Sequence, residues 1–201
     1  WYGRAGAETI DSVWTSKSTN GGTSWTETRI LNGQTLGVAL QEPWIAMNGQ
    51  NGVMAYRYNT DASIGVSTTS DNTANWSGAV AKFTGSGRPT IWYANLDTIA
   101  VVYRQKPTDD AAMRISRDGG NNWYQEKFLE KKWTSTTTLG MTYAGVDRLS
   151  NGATILVLGQ EQTSTTSRIV WTFLGEAGTV TPAGAVPSEE VAIVNDLDSL
   201  V

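Results

Sequence analysis

The sequence contains neither cysteine nor histidine among its 201 residues. Thiolate nucleophiles, histidine general bases, disulfide bonds and the usual zinc and iron ligand sets are therefore excluded within this chain. We expect no metal and no cofactor. The net charge of −4 and the lack of a basic run make nucleic acid an unsuitable partner. No apolar run is long enough for a helix that spans a bilayer, so we expect no membrane span.

Turn residues and tryptophan are abundant, with 21 glycines and 9 tryptophans against 3 phenylalanines. Three short stretches combine them in one pattern, and each ends in tryptophan. They read SRDGGNNW (116–123), STNGGTSW (18–25) and TSDNTANW (69–76). Their tryptophans are 51 and 47 residues apart, and a period near fifty residues predicts a repeat architecture.

The residues between these turns repeat as well. GVMAYRY (52–58) matches IAVVYRQ (99–105), and Pro43 corresponds to Pro89. Each repeat holds four short runs rich in β-branched and aromatic residues, and turn residues separate the runs. The sequence therefore predicts an all-β protein, a β-propeller of four-stranded antiparallel blades with about four blades visible. The first blade is incomplete, because residues 1–4 match only the end of a second strand.

The turns themselves have a structural explanation. Glycines such as Gly119 and Gly120 permit positive φ in a tight hairpin, and Asp118 or Asn20 can accept bonds from backbone amides. The tryptophan is expected to fold back and bury the turn. We therefore predict that the turn residues hold hairpins together and bind no ligand. These residues are Ser18, Asn20, Gly22, Trp25, Asp71, Trp76, Ser116, Asp118, Gly120 and Trp123.

The pattern S-x-D-x-G-x-x-W resembles the Asp-box, or BNR repeat, of the sialidase-like propellers. Residues 116–123 match it at every fixed position, residues 18–25 carry Asn20 for the aspartate, and residues 69–76 carry Thr73 for the glycine. The resemblance covers about residues 1–180 and implies a ring that usually has six blades. We expect the missing blades upstream; a smaller ring, or one closed by another chain, is the alternative.

The sequence is expected to divide into two regions. Residues 1–185 are expected to form the blades, and residues 186–201 a tail. Pro187 and Ser188 before two glutamates suit a helix start. The tail is interpreted either as a short helix or strand that docks on the propeller, or as the start of a helical stalk through which the chain forms a homo-oligomer.

Arginines recur at one place in the repeats. The three turns at residues 18–25, 69–76 and 116–123 are called the boxed turns below. Arg4, Arg57 and Arg104 each follow a second strand, and Arg88 lies between blades, so all four are expected on the face away from the boxed turns. Sialidases use arginines on this face to grip a carboxylate, and the resemblance makes Arg57, Arg88, Arg104, Tyr56 and Tyr103 candidate ligand-binding residues. The alternative is structural, with each arginine paired to a neighbouring blade.

Catalytic residues cannot be assigned from the sequence. The family pairs a tyrosine nucleophile with a glutamate, and no such pair is identifiable here. Glu42, Asp109, Asp110 and Glu161 fall in loops expected on the same face, where carboxylates are usually only solvated.

Three functions therefore compete. The first is a propeller that binds a glycan or cell-surface receptor, as in a phage tail fibre, which would place the protein outside the cell or on a virion surface. The second is an exo-sialidase or related glycosidase whose catalytic residues lie partly outside this chain. The third is a structural or assembly domain.

Overall fold

The computed structural model describes residues 2–72, 74–85, 87–94, 96–105, 111–124, 127–128, 140–148, 153–163 and 166–176. Almost all regular structure within these residues is extended. The strands are β1 (Tyr2–Gly3), β2 (Ser12–Lys17), β3 (Thr26–Leu31), β4 (Leu40–Asn48), β5 (Asn51–Tyr58), β6 (Ser63–Thr69), β7 (Ala81–Thr84), β8 (Gly87–Tyr93), β9 (Ile99–Arg104), β10 (Ala111–Ser116), β11 (Lys127–Phe128), β12 (Gly140–Arg148), β13 (Ala153–Thr163) and β14 (Thr166–Glu176).

The strands form four antiparallel sheets in the order of the chain. Sheet 1 holds β1–β3, sheet 2 holds β4–β7, sheet 3 holds β8–β11 and sheet 4 holds β12–β14. Each strand pairs with its neighbours in sequence, so every sheet is a meander. The prediction of an all-β protein with antiparallel sheets is confirmed.

One helical turn, α1 (Gly33–Leu36), lies in the connection between sheets 1 and 2 and was not predicted. The side chain of Asn32 caps it by accepting a bond from the Thr35 N–H at 3.1 Å, and Gly37 ends it in the left-handed conformation. No helix in the described ranges has the length and apolar character needed to cross a membrane.

Successive sheets pack face to face. β4 packs against β1 and β2, β8 packs against β4 and β5, and β12 packs against β8 and β9. A separate buried cluster fills each space: one around Val13 and Leu40, one around Val53 and Ile91, and one around Val102. The core therefore consists of layers between consecutive sheets, which is the packing that a propeller requires.

A β-bulge recurs near the start of the first strand in sheets 2, 3 and 4. The pairing register shifts between Gln41 and Trp44 in β4, between Gly87 and Thr90 in β8, and between Met141 and Tyr143 in β12. Bulges re-aim nearby side chains and bend the strand. All three bulges lie at the end of the sheets opposite the boxed turns. The pairing of the first strand is therefore irregular at the same end of each of these three sheets.

Candidate functional site

The third boxed turn, residues 116–123, is closed by a network around Asp118. The carboxylate accepts bonds from the Asn122 N–H at 2.8 Å and from the Ser116 hydroxyl at 2.8 Å. The Ser116 oxygen accepts in turn from the Gly120 N–H at 2.8 Å. Gly119 and Gly120 both have positive φ. The two polar side chains thus satisfy amides that the tight turn removes from strand pairing.

The first boxed turn repeats this network without an acid. The Asn20 side-chain oxygen accepts from the Ser18 hydroxyl at 3.0 Å and from the Ser24 N–H at 2.9 Å. The Gly22 N–H donates to the Ser18 oxygen at 2.8 Å. An amide oxygen therefore replaces the carboxylate as the acceptor.

The second boxed turn keeps the network but has no glycine. Asp71 accepts from the Thr69 hydroxyl at 2.6 Å and from the Asn75 N–H at 2.9 Å. Asn72 supplies the positive φ, at 57°, a conformation that asparagine tolerates better than most residues. In the other two turns the tryptophan N–H donates to a glycine carbonyl, whereas the buried Nε1 of Trp76 has no hydrogen-bond partner in the described part of the chain.

Two of the boxed tryptophans pack on the preceding sheet. Trp123 meets Phe83 of β7 edge-on, with ring centroids 5.3 Å apart, and Trp76 packs on the cluster between sheets 1 and 2, which contains Leu31 of sheet 1 and Met54 of its own sheet. Trp25 belongs to sheet 1, which no described sheet precedes, and 61% of its surface is exposed. The expectation that each tryptophan buries its turn is wrong for Trp25, because burial comes from the neighbouring sheet.

The boxed turns share one face. Lys17, beside the first turn, donates from Nζ to the Asn72 carbonyl of the second turn at 3.2 Å. The second and third turns border one cleft of about 530 Å³, whose lining includes Asp71, Trp76 and Gly119. The lining of this cleft is polar and apolar in about equal parts, and the side-chain hydrogen bonds of its boxed turns are used within the turns themselves.

The opposite face carries the predicted arginines. We define the arginine face by Glu42 of β4, Arg57 of β5, Gly87 and Arg88 of β8, and Arg104 of β9. Arg57 Nη1 lies 3.6 Å from Glu42 Oε1, and Glu42 Oε2 accepts a bond from the Arg88 N–H at 2.6 Å. Arg104 is the strand partner of Gly87. One carboxylate therefore links an arginine of its own sheet to the backbone of the next sheet.

The backbone of this cluster is strained. Glu42 and Arg88 have φ values of 51° and 56°, and each precedes a proline, which disfavours helical conformations at that residue. Gly87 has φ 132°, and a Cβ placed on it would collide with Glu42 Oε2 and lie 3.0 Å from Arg57 Cδ. Such conformations cost about 1–3 kcal/mol each and cluster at functional sites.

Arg57 retains unused donor capacity. Its separation from Glu42 is that of an ion pair and exceeds hydrogen-bond length. Its side chain is 26% exposed, and its Nε–H is buried without a hydrogen-bond partner in the described ranges. The buried Nε–H is closed to a ligand, but the exposed part of this guanidinium, which one carboxylate holds in place, is suited to receive a second anion.

Sheet 1 has a related arrangement. Arg4 Nε pairs with Asp11 Oδ1 at 3.0 Å, and Asp11 Oδ2 accepts from the Gln41 side chain of sheet 2 at 3.1 Å. Sequence reasoning had the repeated arginines pair with a neighbouring blade. In both cases the carboxylate partner instead lies in the same sheet, and that carboxylate makes the contact to the next sheet.

The tyrosine candidates do not line this face. Tyr56 and Tyr103 are fully buried. The Tyr56 hydroxyl bonds to Ser67 at 3.2 Å, and Tyr103 stacks on Phe83 with centroids 5.8 Å apart. Burial raises the pKa of Tyr56 far above its ordinary value. The idea that these rings stack on a sugar does not fit their placement, because strands β5 and β9 are covered on both faces.

Glu42 and Gly87 are the members of the cluster whose roles sequence reasoning missed. Glu42 was treated as a solvated loop carboxylate. The available signal was the equivalence of Glu42-Pro43 and Arg88-Pro89, which places two pre-proline residues at one position in successive repeats. Asp109 and Asp110 lie outside the described residues, as do the Glu161 side chain and the tail 186–201.

The two boxed turns that contain an aspartate both lower the pKa of its carboxyl group. Hydrogen bonds from the Thr69 hydroxyl and from Asn75 lower the pKa of Asp71 to about 2. The pKa of Asp118 is lowered too, mainly by the backbone and side-chain bonds from Asn122. Both carboxylates are therefore held ionised as acceptors, which is a structural use of an acid.

Solved structures show which fold the chain resembles. A mutant of the NanB sialidase from Streptococcus pneumoniae matches 87% of this chain with a TM-score of 0.61 and 12% identity. The Hadza microbial sialidase Hz136 matches 84% with 0.53 and 12%, and a thermostable family-43 glycoside hydrolase matches 70% with 0.51 and 10%.

The match spans 29%, 39% and 49% of those chains, respectively. No protein-family model matches the sequence, and the curated proteins contain no match. At such identities the likeness concerns architecture alone. The chain has a fold similar to that of the sialidase-like propellers.

Proposed function

We propose that the chain is part of an Asp-box propeller that binds an acidic glycan at the arginine face and does not hydrolyse it. The observation that carries this proposal is the meeting of the Arg57 side chain and the Arg88 backbone, from adjacent sheets, around Gly87 and the carboxylate of Glu42. The fold similarity to sialidases supports it at the level of architecture.

The chemistry follows from the guanidinium. Its planar fork pairs with a carboxylate through two parallel N–H···O bonds. Glu42 holds the Arg57 side chain in place while the partly exposed edge faces solvent. A sugar carboxylate would meet donors that are already oriented, which reduces the entropy lost on binding. The exposed position predicts weak, salt-sensitive affinity.

The test is titration with sialyllactose, with lactose as the neutral reference. Sialyllactose should bind and lactose should not. Arg57→Ala should weaken binding by about tenfold or more, the scale of a charge-assisted hydrogen bond worth about 1.5–3 kcal/mol. The matched control is Arg117→Ala, which removes the same charge from the third boxed turn on the other face and should leave binding unchanged.

Melting temperatures of the same variants separate binding from structure. The binding proposal expects Arg57→Ala to melt close to the wild-type temperature. If this variant melts several degrees lower and binds sialyllactose as well as the wild type does, the arginine only ties the sheets together. The third function, a structural domain, would then be preferred.

Hydrolysis is the second candidate, favoured by the similarity to two sialidases and a glycoside hydrolase. The mechanism of that family needs a tyrosine nucleophile with a carboxylate base and a separate acid. Tyr56 and Tyr103 are buried, so neither offers a nucleophile at the arginine face in this structure. A catalytic role would therefore need a nucleophile other than these two tyrosines, and the sequence interpretation expects part of the catalytic set outside this chain.

The number of blades, the division of the chain, its location and its oligomeric state are also proposals. We propose a ring of about six blades, with blades in residues 1–185 and a separate tail in 186–201. Ser-, Thr-, Asn- and Gly-rich composition fits a phage or viral surface fibre, with a location outside the cell or on the virion and a homo-oligomer formed through the tail. Size measurements on the chain with and without residues 186–201 would test the last point.

A further inference from the structure

The burial of one nitrogen limits how Arg57 can hold an anion. A guanidinium pairs with a carboxylate either side-on, through Nε and one Nη nitrogen, or end-on, through both Nη nitrogens. The Nε–H of Arg57 is buried, which closes the side-on arrangement. An anion that binds this side chain at the arginine face must therefore bind end-on, through Nη1 and Nη2.

The Nη1 nitrogen is also the one that faces Glu42. Its distance to Glu42 Oε1 is 3.6 Å, and a ligand oxygen bound to the same nitrogen would lie about 2.8 Å from it. The ligand oxygen and Glu42 Oε1 would therefore be at most about 6.4 Å apart, because both distances start from Nη1. This separation is shorter than the Debye length of about 8 Å at physiological ionic strength, so salt screens the repulsion between the two anions only in part.

The Glu42 carboxylate is held in this position by the next sheet. Its Oε2 accepts a charge-assisted bond from the Arg88 N–H at 2.6 Å, and it lies against the backbone of Gly87. Glu42 itself lies in the bulge of β4, with its backbone in the left-handed conformation. An anion that arrives at Arg57 therefore meets a fixed negative charge beside the guanidinium.

We infer that Glu42 determines specificity at the arginine face by disfavouring doubly charged ligands relative to singly charged ones. Coulomb repulsion is proportional to the charge of the ligand. A phosphorylated sugar, with a charge near −2, is therefore repelled by Glu42 about twice as strongly as a sugar that carries one carboxylate. The ligand class that this arrangement favours is a sugar with a carboxylate, such as a sialic or uronic acid. The inference rests on the proposed binding of an acidic glycan at Arg57.

The probes are galacturonate and galactose 6-phosphate, which share one ring and differ in the charged group at C6. Amide shifts of the full chain give both dissociation constants at pH 8, where the phosphate is doubly charged. Glu42→Gln removes the charge and keeps an oxygen that can accept from the Arg88 N–H. This variant should bind galacturonate about threefold more tightly or better, and galactose 6-phosphate about tenfold more tightly or better, because doubling the ligand charge squares the factor.

Two controls separate the charge of Glu42 from its structural role. Glu27→Gln removes the same charge from an exposed position of β3, beside the first boxed turn, and should leave both affinities unchanged. A salt concentration of about 1 M shortens the Debye length to about 3 Å and should abolish the gain of Glu42→Gln, whereas a structural effect would persist. Glu42→Asn, which tolerates the positive φ of this position, should show the same order of gains and replaces Glu42→Gln if that variant does not fold.

Equal changes in affinity for the two sugars, weaker binding of both, or a gain that persists at high salt would overturn the inference, and Glu42 would then only position Arg57. The failure of the proposed function looks different. If the wild-type chain does not bind sialyllactose, or binds it as well after Arg57→Ala, the glycan site and this inference are both refuted. If sialyllactose binds and Arg57→Ala weakens it, but Glu42→Gln leaves the preference between the two probes unchanged, this inference alone is refuted.

Discussion

Replacing Trp123 with alanine should strongly destabilise the fold, and the structure provides an internal comparison. Trp123 is half-buried, packs edge-on against Phe83 and donates from Nε1 to the Gly120 carbonyl at 3.0 Å. Full burial of a large aromatic is worth about 3–5 kcal/mol by large-to-small substitution, so half-burial contributes about 2 kcal/mol. The edge-to-face contact adds about 1 kcal/mol. The lost Nε1 hydrogen bond adds about 1 kcal/mol more, so we expect Trp123→Ala to lower the free energy of unfolding by about 4 kcal/mol.

Trp25→Ala is the matched control. Trp25 makes the same bond within its turn, to the Gly22 carbonyl at 3.1 Å, but no described sheet covers its ring. Its loss should cost about 1 kcal/mol, the net worth of one hydrogen bond.

Urea unfolding measures both values. With a slope of about 2 kcal/mol per M, the midpoint should fall by about 2 M for Trp123→Ala and by about 0.5 M for Trp25→Ala. Equal losses for the two variants would refute the idea that these tryptophans act by packing on the preceding sheet. An unchanged midpoint together with lost ligand binding would make the boxed turn a binding site.

Three further outcomes are expected. Because hydrogen bonds lower the pKa of Asp71 to about 2 in the folded state, its contribution to stability is complete above about pH 4 and is lost as the pH falls towards about 2. The lowered pKa of Asp118 acts in the same direction. Asp71→Asn, which copies Asn20, should flatten the fall of the urea midpoint over this range. Gly87→Ala should cost about 1–3 kcal/mol and displace the Glu42 carboxylate, since φ 132° and the collision with Glu42 both oppose a Cβ; an unchanged midpoint would contradict this. The chain should not hydrolyse a fluorogenic sialoside, and turnover that Arg57→Ala abolishes would reverse the preference for a binding function.

Local patterns predict the strands and turns well. The boxed turns follow from residue types whose side chains bond to nearby amides, and these interactions need no knowledge of the rest of the chain. The four-strand repeat follows from runs of β-branched and aromatic residues between turns. The likeness of residues 1–4 to the end of β5 is local in the same way, and the structure places a short strand, β1, at Tyr2–Gly3.

Contacts between sheets are harder to predict. Trp25 and Trp123 occupy equivalent positions, yet only the latter has a neighbouring sheet to pack on. Tyr56 directly precedes Arg57 in β5, and successive side chains of a strand point to opposite faces, so the two could not both face one ligand. The alternation was visible in the sequence, whereas the cover that buries Tyr56 comes from distant residues. Glu42 lies in a bulge of β4, and its carboxylate reaches the backbone of the next sheet. The period of the sequence shows that this position recurs, but it does not show in which direction the side chain points.

The central claim is that the arginine face binds an acidic glycan. The most direct test is to find which residues sialyllactose contacts. Backbone amide resonances should be followed during titration of the wild-type chain. The account predicts saturable shifts at Gly87, Arg88 and Arg57, with none at Gly119 and Gly120 of the third boxed turn. Shifts confined to the boxed turns, or no saturable shift at any amide, would contradict it.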